Sequence, residues 1–248
     1  GLPRTGSTLL SAILDQNPDI HAEGNSAVCQ LMWDTQQSCN NACNEQLSAN
    51  NRLSTKHDIV SAIPDIYYKD TNASIVMDKC RSWTIPSNLN MLYEYIDHKP
   101  KVIVLERPIV EIVKSFVHLR IKNNYIGDNE SDLLEDMSEP IMRSLHGLAW
   151  AKENNNGEFI FISYKDIVET PEKVINSIYE FCEINYFKHN FNNIVNKHPE
   201  DDSVYNMLGQ HDVRSSISYN DENVKLSKNI LKYCQQLSKY SSLWLPLD

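Results

Sequence analysis

No apolar run in this sequence approaches the roughly 18 residues that a membrane-spanning helix needs, and no charged leader precedes a short apolar stretch. The expectation is a protein of the cytoplasm that does not enter a membrane. An excess of basic residues is also missing: 23 Lys and Arg stand against 33 Asp and Glu, for a net charge of −10. That balance argues against a general nucleic-acid binder, although it leaves room for one basic cleft around an anionic ligand. There is no CxxC pair and no Cys/His group with zinc-site spacing. The six cysteines, Cys29, Cys39, Cys43, Cys80, Cys182 and Cys234, are scattered, and only Cys39 and Cys43 are close. They read as reduced, mostly buried thiols, and no metal is expected. Internal repeats and low-complexity tracts are absent as well.

What remains is an ordinary globular composition, with 41% hydrophobic and 23% charged residues over 248 positions. That suits a single domain able to bury its own core. Strand-like and helix-like segments alternate. Ser74-Ile75-Val76-Met77, Lys101 to Leu105 and Glu158 to Ile162 read as strands, the last two unbroken enough to be buried on both faces. Helices are expected over Ser7 to Asp15, 86–97, 109–120, 132–154 and 171–182, with Pro86 and Pro171 opening two of them. Residues 26–70 read as irregular helices, 198–216 as a polar loop, and 221–238 as a last helix. The fold class that follows is α/β: one P-loop-like domain over 1–248, with a central parallel sheet of about four or five strands flanked by helices. The helical stretches 26–70 and 121–155 are expected to shape the acceptor side of a cleft at the sheet's edge.

The chain opens on Gly1-Leu2-Pro3-Arg4-Thr5-Gly6-Ser7-Thr8. Its two glycines have the spacing of a Walker A phosphate loop, but Ser7 stands where the Walker lysine belongs. Such a loop turns backbone N–H groups toward an anion, and the helix opening at Ser7 adds its positive end. Ser7 and Thr8 add hydroxyl donors, and Arg4 supplies the cation from within the loop. A kinase or nucleotide hydrolase needs the lysine and a carboxylate for Mg²⁺, for which only Glu106 follows the third strand. A loop of this type ordinarily follows a buried strand, so one is expected ahead of Gly1.

Leu2-Pro3-Arg4-Thr5-Gly6-Ser7-Thr8-Leu9-Leu10 resembles the 5′-phosphosulfate loop of sulfotransferases that use 3′-phosphoadenosine-5′-phosphosulfate (PAPS). The arginine form, with Leu14 to Ile20 after it, is similar to the protein-tyrosine and carbohydrate branch. Two further segments agree. Val102 to Pro108, with Ser115 eight positions after Arg107, resembles the family's 3′-phosphate motif. Ser163-Tyr164-Lys165-Asp166 with Pro171 resembles its Tyr-Glu-Asp-Leu segment. The resemblance spans 1–174. It implies transfer of a sulfuryl group from PAPS to an acceptor hydroxyl without a metal, leaving PAP. It also implies cofactor contacts from Pro3, Arg4, Thr5, Gly6, Ser7, Thr8, Arg107, Ser115 and Tyr164, with Arg214 closing over the nucleotide. Val76 to Arg81 looks like the family's second-strand motif, which makes Lys79 a catalytic cation beside Arg4. At the position where cytosolic relatives carry a histidine base this chain has Arg81; the glutamate base of protein-tyrosine sulfotransferases aligns at Asn25, and Glu23, two residues earlier, is the expected base, with His21 also near. Arg81 and Arg120 are either ligands for an acidic acceptor or surface charges. Trp33, Tyr67, Tyr68 and Trp83 are either acceptor-pocket walls or core. His211 reads as a structural hydrogen-bonder. The acceptor, a carbohydrate, peptide tyrosine or small alcohol, is the one expected partner. The competing readings are a P-loop kinase-like enzyme and a PAP binder without catalysis.

Overall fold

The computed structural model describes residues 1–125, 130–218 and 224–242. In chain order the elements are α1 (Ser7–Leu14), β1 (Ile20–Ala22), α2 (Val28–Asn40), α3 (Asn44–Ala49), α4 (Thr55–Tyr67), β2 (Ile75–Met77), α5 (Pro86–Tyr95), β3 (Val102–Glu106), α6 (Ile109–Lys122), α7 (Glu130–Glu153), β4 (Phe159–Ser163), α8 (Tyr164–Glu169), α9 (Pro171–Cys182), a 3₁₀ turn (Asp202–Tyr205) and α10 (Lys228–Ser242).

β3 and β4 run parallel, Val102 opposite Phe159 through Glu106 opposite Ser163. Their unbroken apolar character has a structural cause, because successive side chains point to opposite faces and both faces are covered. Val104 faces a cluster with Ile112 and Val113 of α6, Ile141, Leu145 and Leu148 of α7, and Ile230, Cys234 and Leu237 of α10. Leu105 and Ile162 face the other way, toward Ile13 of α1 and Ile175 and Ile178 of α9. A third cluster joins α2, α4 and α5 through Met32, Val60, Met91 and Tyr95. The result is the α/β class expected.

The sheet itself differs from the expectation. Among the described residues the four strands form two separate parallel pairs, β1 with β2 and β3 with β4. Gly1 sits where the pairs would meet. Its amino nitrogen is 3.5 Å from the Arg81 carbonyl just past β2, and a Cβ on it would lie 2.5 Å from the Leu105 carbonyl of β3. The last helix begins at Lys228 rather than 221, and residues 219–223 lie outside the described part. No described helix is long and apolar enough to cross a membrane.

Candidate active site

The loop ahead of α1 is built on two left-handed residues, Arg4 at φ 60° and Gly6 at φ 86°. Glycine is required at position 6 for a second reason: a Cβ there would meet the Tyr164 ring at 2.7 Å. The buried Thr5 hydroxyl donates to the Leu2 carbonyl at 2.9 Å and closes the turn. Tyr164 stands at the end of β4, its helix capped by Ser163, whose hydroxyl oxygen accepts the Asp166 N–H. The Arg107 guanidinium lies 4.2 Å from the center of the Tyr164 ring, a cation–π arrangement. The same guanidinium donates to the Arg4 carbonyl at 3.0 Å and to Glu111 at 3.1 Å, one turn into α6. The Arg4 side chain in turn donates from Nε to the Ser115 hydroxyl at 3.1 Å and from its terminal nitrogen to the Gln210 carbonyl. Five sequence-predicted residues, Arg4, Gly6, Arg107, Ser115 and Tyr164, are thus within touching distance of one another although they span 160 positions of chain.

A cavity of about 1400 Å³ opens beside this cluster. Its walls include the whole loop from Gly1 to Thr8, then Lys79 and Arg81 after β2, Arg107, Ser115, Tyr164, His211 and Arg214. That is larger than the several hundred cubic ångströms of most ligand sites, and the gap between the two strand pairs is part of the space. Lys79 donates to Asn25 Oδ1 at 3.4 Å. Burial, with Arg81 nearby, holds its ammonium down at about 8. The residue before it anchors the segment. Asp78 accepts from Tyr68 at 2.7 Å, from the Trp83 indole at 2.6 Å and from Ser26. Tyr68 and Trp83 are therefore buried core residues that also reach the cavity wall. Trp33 packs against the same core, and Tyr67 is exposed.

Glu23 is placed differently. Its carboxylate is 2.9 Å from His21 Nε2, and neither residue is among those lining the cavity. Arg214 is exposed at the rim, donating to Ser218 at 3.3 Å. Arg120 packs on the Tyr125 ring, 5.4 Å from its center. Glu106 is held by Lys152 at 2.5 Å and does not line the cavity, which leaves it unlike a Mg²⁺ carboxylate.

The polar loop over 198–216 contributes groups that the sequence pattern did not single out. Buried Asp202 accepts from His211 twice, from its backbone at 3.0 Å and from Nδ1 at 2.6 Å, and Glu200 lies 3.5 Å from the same Nδ1. Glu200 also reaches the space over Gly24, beside Thr8. No motif marks these residues, and only the acid-rich Glu200-Asp201-Asp202 run hints at them. Asp15, His21 and His198 bring one ligand atom each within 4.8 Å of one another, but the Lys197 ammonium already stands 3.2 Å from Asp15 Oδ2.

Residues 1–188 match the model described as "Sulfotransferase family". Among solved structures, the chain is similar to the sulfotransferase domain from the Synechococcus PCC 7002 olefin synthase, with a TM-score of 0.59, 18% identity, and coverage of 99% of this chain and 94% of that one. It is similar to the sulfotransferase domain from the curacin biosynthetic pathway, with a TM-score of 0.58, 16% identity, and coverage of 99% and 96%. Sulfotransferase STF9 from Mycobacterium avium matches with a TM-score of 0.52 and 13% identity, over 100% of this chain and 76% of that one. Among curated proteins none matches. At these identities the structures speak for the fold alone.

Proposed function

Because the chain belongs to the sulfotransferase family, we propose that it moves a sulfuryl group from PAPS to an acceptor hydroxyl, in line and without a metal. The observation that carries this reading is the meeting of Arg4, Arg107, Ser115 and Tyr164 around the glycine-bearing loop at one cavity. Pro3 to Thr8 would receive the 5′-phosphosulfate. Their backbone N–H groups and the positive end of α1 suit its charge, and Ser7 and Thr8 would donate to its oxygens. Arg107 and Ser115 would take the 3′-phosphate, Tyr164 would face the nucleotide, and Arg214 would close from the rim.

During transfer, a bond forms between sulfur and the acceptor oxygen while the bond from sulfur to the 5′-phosphate oxygen breaks. Negative charge then grows on the departing phosphate. Arg4 and Lys79 are the cations that would meet it. The acceptor proton goes to Glu23 in this assignment. The side chain of Glu23 has to turn from His21 toward the cavity to do so. The six free thiols suit the cytoplasm.

Thermal unfolding with PAP, and with ATP in the presence and absence of Mg²⁺, tests the reading. PAP should stabilize the wild type without metal, and Arg107→Ala should lose most of that shift. Stabilization by Mg-ATP alone would favor a kinase-like enzyme. A PAP shift without sulfuryl transfer to any hydroxyl offered would favor a binder.

A further inference from the structure

His211 lies on the cavity wall and is buried. Its Nδ1 donates to Asp202 Oδ1 at 2.6 Å, and its backbone N–H donates to Asp202 Oδ2 at 3.0 Å, so one buried carboxylate grips the residue twice. Asp202 itself opens the 3₁₀ turn. The Tyr205 ring stands edge-on to the imidazole, 5.7 Å between centers, and Glu200 Oε2 lies 3.5 Å from Nδ1. A carboxylate on Nδ1 selects the tautomer: Nδ1 carries the hydrogen and Nε2 keeps the lone pair. Nε2 is met by the Gln210 side-chain amide at 3.4 Å, longer than an ordinary N–H hydrogen bond and open to replacement by a better donor. A fixed imidazole with a weakly engaged lone pair at a cavity wall is the arrangement of a general base.

The surrounding contacts tie this imidazole to the phosphate loop. The carbonyl of the preceding residue, Gln210, accepts from the Arg4 guanidinium. Glu200 stands against Gly24, where a Cβ would meet Glu200 Oε1 at 2.7 Å and the Thr8 methyl at 3.1 Å. Asn25, next in the chain, accepts from Lys79 at 3.4 Å. His211 is thus linked through one residue to Arg4, and through one carboxylate to the segment beside Thr8 and Lys79. Glu23 differs on both counts, because its carboxylate is engaged with His21 and it does not line the cavity.

We propose that His211 is the general base for the acceptor hydroxyl, with Asp202 as its positioning residue, so that no turn of Glu23 is needed. The inference rests on the sulfotransfer reading. The acceptor O–H gives its proton to His211 Nε2 as the acceptor oxygen bonds to sulfur. The bond from sulfur to the 5′-phosphate oxygen breaks, and its electron pair stays with PAP. Asp202 holds the ring in the tautomer that can receive the proton, and with Glu200 it balances the charge of the imidazolium that forms. The imidazolium returns its proton to water once the products leave. An acceptor that is already ionized has no proton to give, so it gains nothing from this base.

The test follows PAP release from PAPS by the full chain with hexanol, with 4-nitrophenol at a mildly alkaline pH where that phenol is ionized, and with water alone as acceptor. His211→Asn keeps an amide donor for Asp202 and removes the base. It should lower kcat with hexanol by about a hundredfold to ten-thousandfold, the usual worth of a general base, and should cost far less with 4-nitrophenol. Asp202→Asn should show the same dependence on the acceptor, which a merely structural role would not produce. PAP should still raise the melting temperature of His211→Asn. Equal losses on hexanol and 4-nitrophenol, together with a lost PAP shift, would make His211 a loop anchor and overturn the proposal. A hexanol-selective loss in Glu23→Gln with none in His211→Asn would return the proton to Glu23 and overturn it as well. A wild type that binds PAP but releases none from PAPS with any of the three acceptors sinks the sulfotransfer reading, and the base with it; equal rates in wild type and His211→Asn sink the base alone.

Discussion

Lys79 combines two demands that pull against each other. The proposed charge stabilization of a leaving phosphate needs its ammonium, while burial beside Arg81 lowers its affinity for that proton to about 8 from the ordinary 10.5. Between those values the folded chain holds fewer protons than the unfolded one, so this residue makes stability rise as pH climbs from about 8 toward 10.5. Urea unfolding at pH values across that window should show the rise in wild type and lose it in Lys79→Met. Activity should run the opposite way, falling above about pH 8 as the cation is lost. At neutral pH, Lys79→Met should lower kcat by about a hundredfold to a thousandfold, the usual range for removing one donor to a developing anion. An unchanged alkaline limb in that variant would remove Lys79 from the chemistry. Arg107→Ala should weaken PAP binding by roughly tenfold to a hundredfold, the worth of hydrogen bonds to a charged group. Isothermal titration reads that directly. At this scale the residues that meet around the phosphate loop were legible because loop, strand end and following helix each carry a short motif. The partners of His211 were not, since Glu200 and Asp202 reach it by the folding of an irregular loop that has no period to read.

The elements that build the site were legible in proportion to their length and burial. β3 and β4 announce themselves by continuous apolar character, and the helix opening at Pro171 ends at Cys182 as its pattern implies. β1 escaped because it has only three residues, with His21 in the middle, and its pairing with β2 is a tertiary fact. α8 escaped because six residues give less than two turns of periodicity. The sheet expected as one layer is two pairs, because sequence pattern identifies strands but not which edges meet. The loop into α1 yields a sharper prediction. Gly6→Ala would place a Cβ against the Tyr164 ring and force a left-handed φ of 86° on a residue that resists it. The conformational cost alone is about 1–2 kcal/mol. Removing the ring in Gly6→Ala/Tyr164→Ala relieves the clash but not the φ, so chemical denaturation should show the double variant recovering only part of the loss. Full recovery would mean that the ring, and not the backbone, dictates glycine there.

On the scale of the whole molecule, the proposed nucleotide contacts come from chain segments that meet only on folding: Pro3 to Thr8, Arg107 and Ser115, Tyr164, and the loop carrying Gln210 and Arg214. A ligand bound by all of them favors the folded state, by about 2.7 kcal/mol at a hundredfold excess over its dissociation constant. That global gain does not identify the site, but its distribution does. The loop around Gln210 is irregular and reaches the phosphate loop through the bond from Arg4 to the Gln210 carbonyl, while Lys122 meets the exposed Asp212 at 3.0 Å. Irregular surface segments open locally at less than the cost of global unfolding. Hydrogen exchange with and without PAP should therefore slow most at the backbone of 206–218 and at the loop into α1. The apolar faces of α2 and α4 pack on a separate cluster, so the amides of these helices should change only as far as global unfolding does. Slowing that spares 206–218 would detach Arg214 and its loop from the nucleotide and leave the cofactor to the phosphate loop, Arg107 and Ser115.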